Sequence, residues 1–166
     1  NGRSLDDPHF SYKLQWLRAL QKHTVQWLKD NPDTPLALMG DWNIAPLYED
    51  MGDPSFVPGK STHISDAERK VFNSFLPYIT DPVRSLVPEG YTFWDYKAGR
   101  FQKNEGMRID FILGSEAFNC AVTAAKIDRD ERKGDSPSDH VPVIVDLDPQ
   151  LLGETFEDDF DRPMVF

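Results

Sequence analysis

Polar, ionisable side chains stand beside three apolar runs of this chain. In chain order they are Asp41 and Asn43 after LALM, Asp110 before FILG, and Asp139 and His140 before VPVIV. In open α/β sheets, ligands and catalytic groups collect where strands end, so we expect these residues to share one site. Any one of these aspartates alone is more typical of a turn or a cap. Together, three acids, a histidine and an amide are the groups needed for metal-assisted attack of water on a phosphodiester.

Each of these residues has a candidate role in that chemistry. Asp41 could orient and deprotonate the water, and Asn43, two residues on, could donate its amide to the same phosphate. Asp139 is the candidate for the metal, directly or through a water, because Mg²⁺ keeps several waters and takes few carboxylates. His140 needs a carboxylate partner to act as a cation on the phosphate, since an ion pair raises its pKa, and Asp110 is that candidate. A structural histidine that caps its strand is the alternative for His140.

The apolar periodicity predicts the elements that carry these motifs. A helix is predicted over 8–29, and the apolar run 36–39 predicts a buried strand. After a long loop over 44–64, Ser65 and Glu68 have capping-box spacing and predict the start of a second helix. Further strands are predicted at 108–113, 121–127 and 141–147. The order of helix and strand predicts a layered α/β fold.

Length and charge narrow the class of protein. The 166 residues suit one domain. A net charge of -10 counts against a general nucleic-acid coat, because non-specific affinity comes mainly from Lys and Arg that neutralise phosphates. It does not exclude a nuclease, since an enzyme that holds Mg²⁺ needs clustered carboxylates. No run approaches the roughly 18 apolar residues of a membrane span, and the opening NGRSLDDPHF lacks the regions of a signal peptide. We therefore expect a cytoplasmic protein with no membrane partner.

Four segments resemble a known family. GDWNIAP, YTFWDY, NEGMRIDFILGS and PSDHVPV, in this order and at these intervals, are similar to the exonuclease III/AP endonuclease family within the exonuclease-endonuclease-phosphatase superfamily. The resemblance runs from the opening NGR to about Leu147, and WDY followed by GMRID makes it specific for the AP endonuclease branch. It implies a phosphodiesterase that uses Mg²⁺, with Mn²⁺ as an alternative. Its substrate would be double-stranded DNA, incised 5′ to abasic sites and trimmed at 3′ ends.

The resemblance also implies roles for individual residues. Those matching the catalytic positions are Asp41, Asn43, Asp110 and His140; those matching the metal site are Asp139, Asp41 and Asn43. An abasic-sugar pocket would be lined by Phe93, Met107 and Ile109, and Arg108 would lie beside the DNA backbone. Arg3, Trp94 and Lys103 complete the expected DNA contacts. Core packing is the alternative for Phe93 and Trp94, and a solvated loop is the alternative for the basic stretch Lys97, Arg100 and Lys103.

The family domain is a four-layer α/β sandwich, in which two mixed β-sheets pack face to face with helices outside. The resemblance implies that residues 1–150 supply its C-terminal half and that 151–166 form an acidic tail. In the family, a metal-binding Glu, an active-site Asn and a Tyr precede the NGR segment, and no residue here matches them. We therefore expect an incomplete catalytic unit whose partner is the missing N-terminal half. We also expect an exposed apolar sheet face.

Two further hypotheses stay open at this point. The chain could belong to another phosphodiesterase or phosphatase of the same superfamily, acting on a different phosphate ester. Alternatively, it could be a non-catalytic binding module whose acidic, aromatic tail docks a partner.

Overall fold

The computed structural model describes residues 2–152. Most of the predicted acidic tail, from residue 153 onward, lies outside the described residues. The helices are α1 Pro8–Asp30, α2 Asp66–Asn73, α3 Pro82–Leu86, α4 Arg100–Lys103 and α5 Glu116–Cys120. The strands are β1 Ala37–Asp41, β2 Asp110–Gly114, β3 Val122–Ile127 and β4 Val143–Leu147. None of the helices described within this range is long and apolar enough to cross a membrane.

Helix α1 confirms the helix predicted from periodicity. Asp7 caps its first turn by accepting a hydrogen bond from the amide of His9, and Pro8 occupies the first turn, where its missing N–H costs nothing. Phe10, Leu14 and Leu17 face the core, as the periodicity requires. Trp16, on the other side of this helix, is 53% exposed.

Helix α2 begins with the predicted capping box. The Ser65 hydroxyl accepts from the amide of Glu68 at 3.3 Å, and the Glu68 carboxylate accepts from the amide of Ser65 at 3.3 Å. Two amides of the first turn are thereby satisfied. The helix then packs Val71 and Phe72 into the core.

The strands form two small antiparallel sheets. In the first, β1 pairs with β2 and places Asp41 opposite Asp110. In the second, β3 pairs with β4, with an irregularity between Val122 and Ala124. All the strand pairing within residues 2–152 is antiparallel. The register of the first sheet has a functional consequence, because it brings two of the predicted site carboxylates together.

The main core lies between α1, α2 and the β1–β2 sheet. Leu113 is fully buried and Phe75 is 1% exposed, and each such side chain stabilises the fold by roughly 1.5–3 kcal/mol. The ring of Trp42, which directly follows β1, meets Phe72 and Phe75 edge-on, at centroid distances of 5.3 and 5.1 Å. The residue between Asp41 and Asn43 is therefore an anchor in the core, which fixes where both polar side chains emerge.

A groove of about 690 Å³ runs between α1 and β1. It is lined by apolar side chains that include Tyr12, 67% exposed, Trp16, 53% exposed, and Met39, 64% exposed. Among the strands described over 2–152, β1 pairs only with β2, so its other edge faces this groove without a strand partner. An apolar groove beside such an edge is a surface on which another segment could pack.

Candidate active site

The predicted site residues of three separate motifs meet at one end of the β1–β2 sheet. Asp41 ends β1, and Asp110 begins β2 directly opposite it. His140 joins them from the segment before β4, where it forms an isolated bridge with Phe93. Its Nδ1 lies 2.9 Å from Asp110 Oδ2, and its Nε2 lies 4.0 Å from Asp41 Oδ2. Three motifs that are far apart in the sequence therefore lie side by side in the fold.

Asp110 is held in place by Thr92 as well as by His140. The Thr92 hydroxyl donates to Asp110 Oδ2 at 2.6 Å and accepts from the amides of Ile109 and Asp110 at 3.1 Å. Because an ionised carboxylate only accepts, the proton of the shared contact sits on His140 Nδ1. The Nε2 atom of His140 is then left to face Asp41 and the solvent.

The neighbouring acids favour the charged form of His140. Its hydrogen bond to Asp110 raises its pKa above the ordinary value, and the charges of Asp110, Asp41 and Asp139 act in the same direction. Partial burial opposes them. The imidazole ring also contacts the ring of Phe93, at a centroid distance of 4.9 Å. His140 is therefore an oriented imidazole with a raised pKa, in a site made mainly of carboxylates.

Asp41 and Asn43 form a closed local turn. The amide of Asn43 donates to Asp41 Oδ1 at 2.7 Å, and its side-chain Nδ2 donates to Asp41 Oδ2 at 2.6 Å. Burial raises the pKa of Asp41, and the negative charge of Asp110 adds to this, while the Asn43 amide and His140 lower it. Asp41 thus combines the position of a base with a pKa raised above that of an ordinary aspartate.

The backbone of Asn43 is fixed by a buried ion pair. Asn43 has a φ of +52°, and its carbonyl accepts from Lys13 Nζ at 2.6 Å. Lys13 also lies 2.5 Å from Glu68 Oε1, and these two side chains are 8% and 0% exposed. Lys13 lies in the apolar stripe of α1. A lysine in such a stripe is the sequence signal that could have indicated a buried ion pair here.

Asp139 lies beside this cluster, with its backbone carbonyl accepting from the amide of Trp94 at 2.9 Å. A Mg²⁺ ion prefers carboxylate and carbonyl oxygens, and Asp139 and Asp41 have that chemistry. Between residues 2 and 152, however, no group of three or more His, Cys, Asp or Glu side chains is placed to hold a metal ion. Among the described residues, Asp139 and Asp41 are therefore only candidate ligands for such an ion.

The structure corrects two of the expected DNA contacts. Trp94 and Arg108 are each only 1% exposed. Trp94 packs edge-on against Phe101 at 5.3 Å, and Arg108 donates to the carbonyl of Val87 at 2.8 Å while facing Asp81. Both side chains therefore hold the protein together and present no surface to DNA.

The expected sugar pocket is also different from the prediction. Met107 and Ile109 are 1% and 2% exposed and form a buried cluster with Ala45. Phe93 packs on this cluster and is only partly buried. Of the three predicted pocket residues, only Phe93 is accessible to solvent. Met107 and Ile109 are buried and pack against it.

The basic strip formed by Lys97, Arg100 and Lys103 has less unpaired positive charge than its composition implies. Arg3, Lys97 and Lys103 are exposed. Arg100, in contrast, pairs with Glu105 and lies 3.2 Å from Asp53, so its charge is neutralised within the protein. The exposed lysines are the residues of this strip that can meet a phosphate.

Comparison with known proteins gives the same assignment as the motifs. The model of the endonuclease/exonuclease/phosphatase family matches residues 7–140. An exodeoxyribonuclease of Bacillus subtilis is 32% identical over 136 residues, which cover 80% of this chain and 51% of that protein. The chain spans about half the length of the curated relatives that it matches first.

Solved structures agree with this assignment. The 3′-5′ exonuclease NExo of Neisseria meningitidis is 39% identical, with a TM-score of 0.80, over 89% of this chain and 58% of that one. A NExo structure bound to a product DNA hairpin is that of a 3′ phosphatase. An AP endonuclease of Archaeoglobus fulgidus is 27% identical, with a TM-score of 0.77 and the same coverage. This chain belongs to the endonuclease/exonuclease/phosphatase family.

Proposed function

We propose that the chain is the catalytic C-terminal part of a magnesium-dependent DNA repair nuclease of the exonuclease III type. Its substrate is double-stranded DNA with abasic sites or 3′ ends. The observation that carries the proposal is the arrangement around His140, whose Nδ1 lies 2.9 Å from Asp110 and whose Nε2 lies 4.0 Å from Asp41. A protonated imidazole beside a candidate base suits a reaction in which water attacks a phosphate anion.

In the proposed reaction, the oxygen of a water molecule forms a bond to phosphorus while Asp41 accepts one of its protons. The phosphorus–oxygen bond to the leaving strand breaks, and solvent protonates the leaving oxygen. His140 binds a phosphoryl oxygen through Nε2–H, with Asp110 holding the ring in place. The second N–H of the Asn43 amide donates to the same phosphate. A divalent ion would supply further positive charge, with Asp139 and Asp41 as the acids available to it here.

We also propose that this chain forms one half of a four-layer sandwich. Two observations support this: the relatives are about twice as long as the matched region, and the apolar groove lies beside the unpaired edge of β1. An N-terminal half, on the same or a companion chain, would cover the groove and supply the missing metal ligand. A cytoplasmic location remains our prediction for the whole protein.

The proposal is tested with a duplex that carries one abasic site, with and without Mg²⁺. The chain alone is compared with the chain joined to the N-terminal half of a family relative. We expect the joined protein to cut only with Mg²⁺, and Asp41→Ala to abolish cutting. Cutting by the 166-residue chain alone would contradict the incomplete site, and no cutting by either protein at any DNA end would contradict the nuclease assignment. A chain that binds a partner without any cutting would favour the non-catalytic alternative.

A second candidate is removal of phosphate from DNA 3′ ends. The observation that favours it is the higher identity to NExo, 39%, than to the A. fulgidus AP endonuclease, 27%. A duplex with a 3′-phosphate, assayed beside the abasic duplex, separates the two. Release of phosphate without incision would favour this candidate, and incision at the abasic site would favour the first.

A further inference from the structure

His63 is a buried histidine that the proposed reaction does not yet use. It lies in the loop between β1 and α2 and is 7% exposed, with its ring edge-on to Phe56 at 5.4 Å. Its backbone carbonyl accepts from the amide of Ala45 at 2.7 Å, which ties this end of the loop to the segment after Asn43. The loop thereby brings the imidazole against the side chain of Asn43.

The hydrogen bonds around His63 have a single consistent direction. Asn43 Nδ2 donates to the Asp41 carboxylate, so Asn43 Oδ1 is the atom that faces His63 Nε2, at 3.1 Å. An amide oxygen only accepts, and therefore Nε2 carries the proton. On the other side of the ring, Nδ1 lies 3.1 Å from the Thr62 hydroxyl, which can donate to it. Each group thus donates a hydrogen bond to the next: Thr62 donates to His63, His63 to Asn43, and Asn43 to Asp41.

Both ring nitrogens of His63 have a hydrogen-bond partner. A neutral imidazole has one N–H, so donation to Asn43 and acceptance from Thr62 use both ring nitrogens. The ring therefore fits its two neighbours without any charge of its own.

We propose that His63 is a positioning residue for the hydrolysis: through Nε2–H it holds the Asn43 amide with its oxygen turned inward and one N–H left for the substrate phosphate. The proposal rests on the function proposed above. Without this donor, the amide can rotate and present its oxygen, which a phosphate repels. His63 touches no reacting atom, and its effect passes through Asn43.

The hydrogen-bond direction is tested on the chain itself by long-range ¹H–¹⁵N correlation spectra of the histidine rings at neutral pH. We expect His63 to carry its proton on Nε2 and to keep it there in an Asp110→Asn variant, which does not touch this ring. A proton on Nδ1, or on both nitrogens, would overturn the proposal, whatever the protein hydrolyses.

The effect on the reaction is tested with a matched pair of variants in the joined protein. In His63→Gln the amide nitrogen reaches the position of Nε2, whereas in His63→Asn it reaches only that of Nδ1. We expect His63→Asn to lower kcat roughly 10- to 100-fold with little change in KM, and His63→Gln to restore most of the loss. In an Asn43→Ala background, His63→Asn should cause no further loss, because both changes act through the same amide.

Equal activity of the two variants, or losses that multiply with that of Asn43→Ala, would overturn the proposal. If instead the unaltered joined protein hydrolyses neither the abasic nor the 3′-phosphate duplex, the proposed function fails. The ring spectra then still decide whether His63 orients Asn43.

Discussion

His140 and Asp110 show how much of the proposed chemistry depends on one contact. Their 2.9 Å hydrogen bond holds a proton on Nδ1, fixes how the ring is turned and favours its charged form. Asp41, 4.0 Å from the other nitrogen, is then close to a cation and also to a second carboxylate across the sheet. One acid therefore supports the charged imidazole, and the other is available as the base.

Replacing Asp110 by Asn should lower the pKa of His140. The carboxylate is the largest cause of the raised value, and the neutral amide removes its charge while keeping its shape. An NMR titration of the His140 ring checks this, with Asp130→Asn as the control because that exposed acid pairs with Lys133. A His140 pKa that does not move in the Asp110 variant would contradict the assigned cause.

The same pair has a defined effect on stability. Because the folded-state pKa of His140 is raised, its contribution is fully present below the ordinary value of about 6.5 and is lost as pH rises through the raised pKa. Urea unfolding of the chain and of Asp110→Asn across this window should show a difference that shrinks towards alkaline pH. A difference that grows with pH would contradict the sign.

At the scale of elements, α1 and α2 are joined beneath the site by Lys13 and Glu68. Each has little exposure, so removal of one partner leaves the other as an uncompensated buried charge. We expect Lys13→Met to cost about 3–5 kcal/mol of unfolding free energy, and the double variant with Glu68→Gln to cost less than the sum of the two single changes. Urea denaturation measures both, and additive costs would show that the ion pair is not the cause.

The sequence predicts some elements better than others, for physical reasons. The capping box of Ser65 and Glu68 and the apolar stripe of α1 depend on neighbours three or four residues away, so they can be read locally. The register that sets Asp41 opposite Asp110 arises from long-range pairing. His63 lies in a loop without periodicity, and only the folded chain shows that it reaches Asn43. Arg108, which the family resemblance placed beside the DNA backbone, is buried because it pairs with Asp81 and donates to the carbonyl of Val87.

For the whole molecule, the groove between α1 and β1 is the surface that the proposed N-terminal half would cover. Met39 points into open space there and is 64% exposed. In the chain alone, Met39→Lys should change the unfolding free energy by no more than about 0.5 kcal/mol, as for an ordinary surface position. In the joined protein the same change should be clearly destabilising, because the lysine would be buried under the added half.

Ile144→Lys on β4 is the matched control for this comparison, since it alters an exposed aliphatic residue of the other sheet. Its effect should be the same in both proteins. Equal effects of Met39→Lys in both would show that the added half does not cover the groove.

Magnesium binding should also differ between the chain alone and the joined protein. Within residues 2–152 no three His, Cys, Asp or Glu side chains are placed to hold a metal ion, so titration calorimetry should show only weak Mg²⁺ binding to the chain and tighter binding to the joined protein. Asp139→Asn should weaken the binding of the joined protein. Tight binding by the chain alone would reveal ligands other than those assigned.

In the proposed reaction, His140, held by Asp110 beside Asp41, acts on a DNA phosphate. The most direct measurement is the single-turnover rate at which the joined protein cuts a duplex with one abasic site, compared between the unaltered protein and His140→Ala. The geometry predicts a loss of at least about 100-fold in the rate, since the only cation aimed at the phosphate from the described residues of the cluster is removed. An unchanged rate, in a variant shown to be folded, would rule out this role for His140.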